Sequence, residues 1–118
     1  MQPMVNIALR AARRAGQIIV RAMDRIETLS VEEKAKNDLV SDVDRHAEAV
    51  IVESILRAYP DHGILGEESG STNPGAEFTW IVDPLDGTSN YLKSIPHVCI
   101  SIGIMKGAAL EHGIIVDP

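Results

Sequence analysis

The chain has 118 residues, 45% of them hydrophobic, and a formal net charge of −6, which suits one compact folded domain and excludes disordered and fibrous classes. A single cysteine, Cys99, rules out an internal disulfide framework and favours a reducing, cytoplasmic compartment. The acidic balance argues against direct binding to nucleic acid. The charged N-terminal segment argues against a signal peptide and a membrane span.

The first predicted elements are two helices. Apolar residues recur at spacings of three and four from Met4 to Met23, which is helical periodicity. The polar stretch from Glu27 to Leu39 has no sustained period and predicts a loop or weak hairpin. The sequence SDVD then resembles a helix cap at Ser41, so a second helix should run from there to Tyr59, before Pro60.

Strands are predicted for the rest of the chain. ILGE at 64–67 is followed by a loop, SGSTNPGA, and then by the strand FTWIV at 78–82, which should stop at Asp83 and Pro84. VCISIGIM and LEHGIIV should form a hairpin with Gly107 in its turn. We therefore expect a layered α+β fold, with two N-terminal helices packed on an antiparallel sheet. The last strand ends without a closing helix, so we expect an incomplete fold and self-association at the sheet edge.

The stretch DPLDGTSN, residues 83–90, concentrates oxygen ligands in one turn. Asp83 would project from a strand end, Asp86 can swing back towards it, and the carbonyl of Leu85 is left without a ladder partner. These groups suit a hard cation such as Mg²⁺. Gly87 permits close approach, and residues 88–90 would open a short helix whose N–H groups favour a phosphate.

A second acidic element, GEES at 66–69, follows the other short strand. If the two strands are neighbours, Glu67 and Asp83 emerge side by side and could hold metals about 3.5 to 4 Å apart. Thr88 would then orient a water towards phosphorus. Taken singly, acidic pairs in turns are mostly solvated caps, but together the two elements indicate metal-dependent phosphate chemistry.

These motifs resemble those of a known family. GEES, WIVDPLDGTSNYL and KNDLVSDVD are similar to the signature set of the inositol monophosphatases, which are Mg²⁺-dependent, lithium-sensitive phosphomonoesterases. The opening MQPMVNIALRAARRAG resembles the bacterial SuhB type of this family. The resemblance covers residues 1–118 and implies the N-terminal metal- and phosphate-binding domain of the family's fold. The family's C-terminal domain, with its WDxAAG motif, is not found in this sequence.

The resemblance implies a role for each matching residue. The metal ligands would be Glu67, Asp83, the Leu85 carbonyl and Asp86. Thr88 would help to activate water, with Asp44 supporting it by a hydrogen bond. The phosphate would be bound by backbone N–H groups of Gly87, Thr88 and Ser89. Glu68 would support the ligands, and Lys34 or Lys36 would be the basic residue of the family's mobile metal-site loop.

The function implied is hydrolysis of inositol 1-phosphate by a commonly dimeric enzyme, with residues 1–118 alone inactive or nearly so. The resemblance leaves two alternatives: a related phosphatase acting on fructose bisphosphate or nucleotide bisphosphate, and a SuhB-like binding role in transcription antitermination and ribosome biogenesis. Arg10, Arg14 and Arg21 lie near one face of the first helix; a solvated face is the preferred explanation, and binding in such a complex is the alternative.

The remaining polar and aromatic residues receive ordinary interpretations. The four histidines lack zinc-site spacing and are expected to be surface or partly buried polar residues; they are His46, His62, His97 and His112. Phe78 and Trp80 alternate in a strand and should pack in the core.

Overall fold

The computed structural model describes residues 3–28, 33–86 and 99–117. Helix α1 comprises Pro3–Thr28, and helix α2 comprises Glu33–Ala58. In α1 the small and branched residues at helical spacing form a fully buried stripe, as the periodicity predicts; its members are Ala8, Ala11, Ala12, Ala15 and Ile19. Neither described helix is both long and apolar enough to cross a membrane.

The prediction for the start of the second helix was wrong. Helix α2 begins at Glu33, so the expected loop from Glu27 to Leu39 is mostly helical, and Ser41 lies inside the helix rather than at its cap. The sequence EKAKNDL contains good helix formers, and intrinsic propensity favours a helix there without an apolar stripe.

The sheet has five strands in the order β2-β1-β3-β4-β5. Their bounds are β1 Gly63–Gly66, β2 Gly70–Thr72, β3 Phe78–Asp86, β4 Cys99–Lys106 and β5 Ala109–Val116. Strand β2 forms from part of the predicted loop SGSTNPGA because it pairs with β1. Two helices packed on a sheet confirm the layered α+β class.

One pair of strands departs from the expected antiparallel sheet. Strands β1 and β3 are parallel, whereas the other neighbouring pairs are antiparallel. Because β1 and β2 form a hairpin, the chain returns to the end from which β1 started before it enters β3. Strand β3 then pairs with the free side of β1 and runs in the same direction.

Strand β3 continues past the predicted stop at Asp83 and Pro84. Asp83 pairs with Ser101 and Asp86 pairs with Cys99, so two residues of β3 lie opposite one residue of β4. This irregularity is a β-bulge, a place where the sheet tolerates a proline that cannot donate a ladder hydrogen bond. Pro84 is fully buried there. The predicted hairpin of β4 and β5 is confirmed, with Gly107 at φ 59° in its turn.

The core lies between the helices and one face of the sheet. Every second residue of β4 is buried, as alternation predicts; these residues are Ile100, Ile102 and Ile104. Trp80 is fully buried beside them, as predicted. The opposite face of the sheet exposes Leu65 and Ile81, with about half of each side chain accessible.

Candidate functional site

The two acidic elements lie at one edge of the sheet. The last residues paired between the parallel strands β1 and β3 are Gly66 and Val82, so Glu67 and Asp83 follow at adjacent positions. Neighbouring strands are about 4.8 Å apart, which brings these two residues together. The condition on which the metal hypothesis depends, that the two strands are neighbours, is met.

Asp44 of α2 faces the same edge. Burial raises the pKa of its carboxyl from 3.8 to about 6, and nearby negative charges add to the effect. In decreasing order, those charges belong to Glu67, Glu48, Asp83 and Glu68. A carboxyl group surrounded by like charge resists ionisation, so this edge concentrates negative potential that a cation would relieve.

Glu48 is a member of this group that the motifs did not reveal. Its side chain is only 1% exposed, and its Oε2 accepts hydrogen bonds from the backbone N of Glu68 at 3.0 Å and of Ser69 at 2.5 Å. The Ser69 hydroxyl donates a third bond at 2.6 Å. Glu48 therefore holds the turn that follows β1. A sequence signal existed, since an acid stands among the apolar residues of α2, one turn after Asp44.

The second oxygen of Glu48 has a different environment. Within the described part of the chain, Oε1 is buried and has no hydrogen-bond partner. A buried, unpaired carboxylate oxygen is costly, so its position beside other carboxylates fits a site that takes a cation or a hydrated cation. The donor set is made of oxygen atoms only, which is the chemistry that Mg²⁺ prefers.

The described side chains do not complete a metal site by themselves. Among them, no three carboxylate, imidazole or thiol groups are placed to hold a metal ion together. The side chain of the expected ligand Asp86 lies outside the described part, although its backbone ends β3. Leu85, whose carbonyl is the fourth expected ligand, lies in the bulge between Asp83 and Asp86.

The phosphate side of the predicted site is outside the described residues. This applies to Gly87, Thr88 and Ser89, and also to His97. The two candidate loop lysines, Lys34 and Lys36, lie in the first turns of α2 and not in a loop, and their side chains are outside the described part. Glu68 is exposed, and its backbone N–H contacts Glu48.

The other histidines lie in separate surroundings. His46 is exposed on α2, and His112 is half-buried on β5. His62 stacks on Tyr59 with ring centroids 4.4 Å apart, and its Nδ1 accepts a hydrogen bond from Trp80 Nε1 at 3.0 Å. These positions agree with the expectation of surface or partly buried polar residues.

The geometry and the motifs agree with a comparison to known proteins. The model of the inositol monophosphatase family matches residues 1–118. The chain belongs to the inositol monophosphatase family.

Individual relatives show the same similarity. The chain is 48% identical over 121 residues to Nus factor SuhB of Pseudomonas aeruginosa, a match that covers 100% of this chain and 45% of that protein. Solved structures share its fold as well. The extragenic suppressor protein suhB from Bartonella henselae matches with a TM-score of 0.84 and 33% identity, covering 99% of this chain and 44% of that one. The inositol monophosphatase from Anabaena (Nostoc) sp. PCC 7120 matches with a TM-score of 0.80 and 36% identity, covering 98% and 40%. The chain thus spans less than half the length of these relatives.

Proposed function

We propose that this chain forms the metal- and phosphate-binding part of a Mg²⁺-dependent phosphomonoesterase that hydrolyses inositol 1-phosphate to inositol and phosphate. The observation that carries the proposal is the convergence of Asp44, Glu67 and Asp83 at one edge of the sheet, where the pKa of Asp44 is raised to about 6. Like charge gathered in this way costs free energy that a bound divalent cation relieves. Membership of the inositol monophosphatase family supports the same chemistry.

Each residue has a distinct role in this proposal. Glu67, Asp83, Asp86 and the carbonyl of Leu85 hold Mg²⁺, which when bound acidifies water and neutralises the charge that develops on the leaving oxygen. Thr88 orients the attacking water, and Asp44 supports that arrangement through a hydrogen bond. Backbone N–H groups of residues 87–89 bind the phosphate.

The proposal is tested by the substitution Asp83→Asn in the full-length natural protein. Loss of one charged ligand should lower the rate of inositol 1-phosphate hydrolysis by at least about 100-fold. Substitution of residues that only hydrogen-bond to metal ligands already lowers metal affinity or activity by about 10- to 100-fold. Glu77→Gln is the matched control, because Glu77 is exposed and precedes the other end of β3. Hydrolysis by Asp83→Asn at the rate of the control would refute the metal assignment.

Residues 1–118 alone should release phosphate far more slowly than a protein with the length of its relatives. The family's WDxAAG motif, which the resemblance assigns to the metal and the substrate, is not among these residues. Equal rates for the two lengths would contradict this part of the proposal. The same resemblance supports a cytoplasmic, lithium-sensitive enzyme that acts as a dimer.

Two other phosphate esters remain as alternative substrates. The resemblance extends to phosphatases that act on fructose bisphosphate and on nucleotide bisphosphates. We prefer inositol 1-phosphate because the N-terminal segment resembles the SuhB type. Comparison of kcat/KM for the three esters, under one set of conditions, distinguishes them.

A binding function is the second candidate, and the names of the curated relatives favour it. Arg10 and Arg21 are exposed on α1 and could contact a component of a transcription antitermination complex. Arg14 is exposed as well, but it donates a hydrogen bond to Ser54 Oγ at 2.9 Å and so joins α1 to α2. The variant Arg10→Glu/Arg21→Glu should weaken such assembly and leave hydrolysis intact, whereas Asp83→Asn should do the reverse.

A further inference from the structure

The turn after β1 is held by a single buried carboxylate. The backbone N–H groups of Glu68 and Ser69 and the Ser69 hydroxyl all donate to one oxygen of Glu48. Glu67 immediately precedes these donors and follows Gly66, the last residue of β1 paired with β3. The backbone of Glu67 is therefore fixed on one side by the sheet and on the other by Glu48.

Gly66 leaves the space that the Glu48 carboxylate occupies. A Cβ atom on Gly66 would lie 2.9 Å from Glu48 Cδ and 2.9 Å from its Oε1, closer than Cβ contacts normally occur. Any other residue at position 66 would displace the carboxylate or the turn. Gly66 and Glu48 thus form a matched pair, although they lie 18 positions apart in the chain.

Packing alone does not explain an acid at position 48. The side chain lies on the apolar face of α2, between Ala47 and Ile51, which are both fully buried. Burial of a carboxylate is unfavourable unless hydrogen bonds compensate, and an apolar residue at this position would avoid that penalty. The compensating donors all belong to the turn that carries Glu67, which indicates what the acid does.

We propose that Glu48 is a positioning residue for Glu67: through the backbone of residues 67–69 it sets where the Glu67 carboxylate meets Asp83, and Gly66 is required for that contact. The inference rests on the proposed function, because it treats Glu67 as a metal ligand. Helix α2 then presents two acids one turn apart with different tasks. Asp44 faces the site, and Glu48 faces the turn that builds it.

The test measures the Mg²⁺ affinity of the full-length natural protein by calorimetry, together with the Tm of its metal-free form. Glu48→Ala should weaken Mg²⁺ binding by about 10- to 100-fold, as substitutions of groups that orient metal ligands do. Glu48→Gln keeps an oxygen that accepts the same N–H groups and should recover most of that loss. The control is Glu53→Ala, because Glu53 lies on the same helix, is exposed and pairs with Arg57. This variant should bind Mg²⁺ with the affinity of the wild type.

Gly66→Ala provides an independent approach to the same contact. It should weaken Mg²⁺ binding as Glu48→Ala does, and the double variant should lose much less than the two single losses combined. If Glu48 acts only through the backbone of residues 67–69, saturating Mg²⁺ should restore kcat in Glu48→Ala. A role limited to stability would lower Tm and leave the Mg²⁺ affinity of the folded protein unchanged.

The outcomes separate this inference from the proposed function. If the wild type binds no Mg²⁺, the proposed function fails. If the wild type binds Mg²⁺ and Glu48→Ala binds it within about twofold, the positioning role is overturned. Should Glu48→Ala fail to fold, Gly66→Ala decides: Mg²⁺ affinity at the wild-type level in that variant overturns the positioning role.

Discussion

Glu67 and Asp83 lie side by side where the pairing of two parallel strands ends, each one residue beyond the last paired position. Strand β3 continues past that point, so Asp83 is still held in register with Ser101 of β4. The backbone of Asp83 is thus held within the sheet, and that of Glu67 lies in a turn. Asp44 approaches both from α2, where burial first and then the neighbouring negative charges raise its pKa to about 6.

The stability of the metal-free protein should depend on Asp44 in a defined direction. Its pKa in the folded protein, about 6, lies above the ordinary value of 3.8, so the folded protein binds more protons than the unfolded chain between these values. The contribution of Asp44 to the free energy of unfolding should therefore fall as the pH rises through this window. Asp44→Asn removes this contribution, so the free energy of unfolding of the wild type minus that of the variant should decrease from pH 3.8 to about 6. Urea denaturation at several pH values checks this, and parallel curves for the two proteins would contradict it.

Magnesium should stabilise the protein through Glu67 and Asp83. A ligand that binds only the folded state adds about 2.7 kcal/mol to the free energy of unfolding when its concentration is 100 times Kd. Thermal denaturation should show Tm rising with Mg²⁺ in the wild type and in the control Glu77→Gln. In Glu67→Gln the rise should be absent over the same concentrations. A rise equal to that of the control would remove Glu67 from the ligand set.

His62 should give the opposite dependence on pH. Burial lowers the pKa of its imidazole below the ordinary 6.5, an effect that Asp61 and Glu77 partly offset. The unfolded chain then takes up the proton first, so the contribution of His62 to the free energy of unfolding should fall as the pH drops below about 6.5. Protonation of Nδ1 also removes the acceptor of the Trp80 indole N–H.

This second dependence can be followed by fluorescence, because Trp80 is the single tryptophan of the chain. His62→Phe keeps a ring against Tyr59 but does not titrate, and its denaturation should lack the loss of stability seen in the wild type below pH 6.5. His46→Gln is the control, since His46 is exposed on α2. If the control lost the dependence and His62→Phe kept it, the assignment to His62 would be wrong.

The sequence was most informative where burial and chemistry impose a regular pattern. The apolar run VCISIGIM identified the strand β4, and the apolar spacing of three and four identified the buried face of α1. Asp83 and Glu67 stood out because each follows a run of β-forming residues, and strand ends gather at sheet edges. Their adjacency depended only on the two strands being neighbours, which the topology confirms.

Other features depend on contacts that no local pattern reveals. Strand β2 is Gly-Ser-Thr, a sequence of low strand propensity, and it is a strand because it pairs with β1. The first turns of α2 have helix-forming residues but no apolar period, so periodicity classed them as a loop. Glu48 was visible as an acid in an apolar stripe, but its partners lie 20 and 21 positions further along the chain.

The most direct test of the central claim, that these carboxylates together bind a cation, is an NMR titration of the Asp44 side-chain carboxyl carbon with and without Mg²⁺. Without metal, Asp44 should titrate with a pKa of about 6, because burial and the surrounding acids disfavour its charged form. With saturating Mg²⁺ the pKa should move down towards its ordinary value, since the cation neutralises the neighbouring charges. A raised pKa that Mg²⁺ leaves unchanged, or a metal-free pKa near 3.8, would contradict the account.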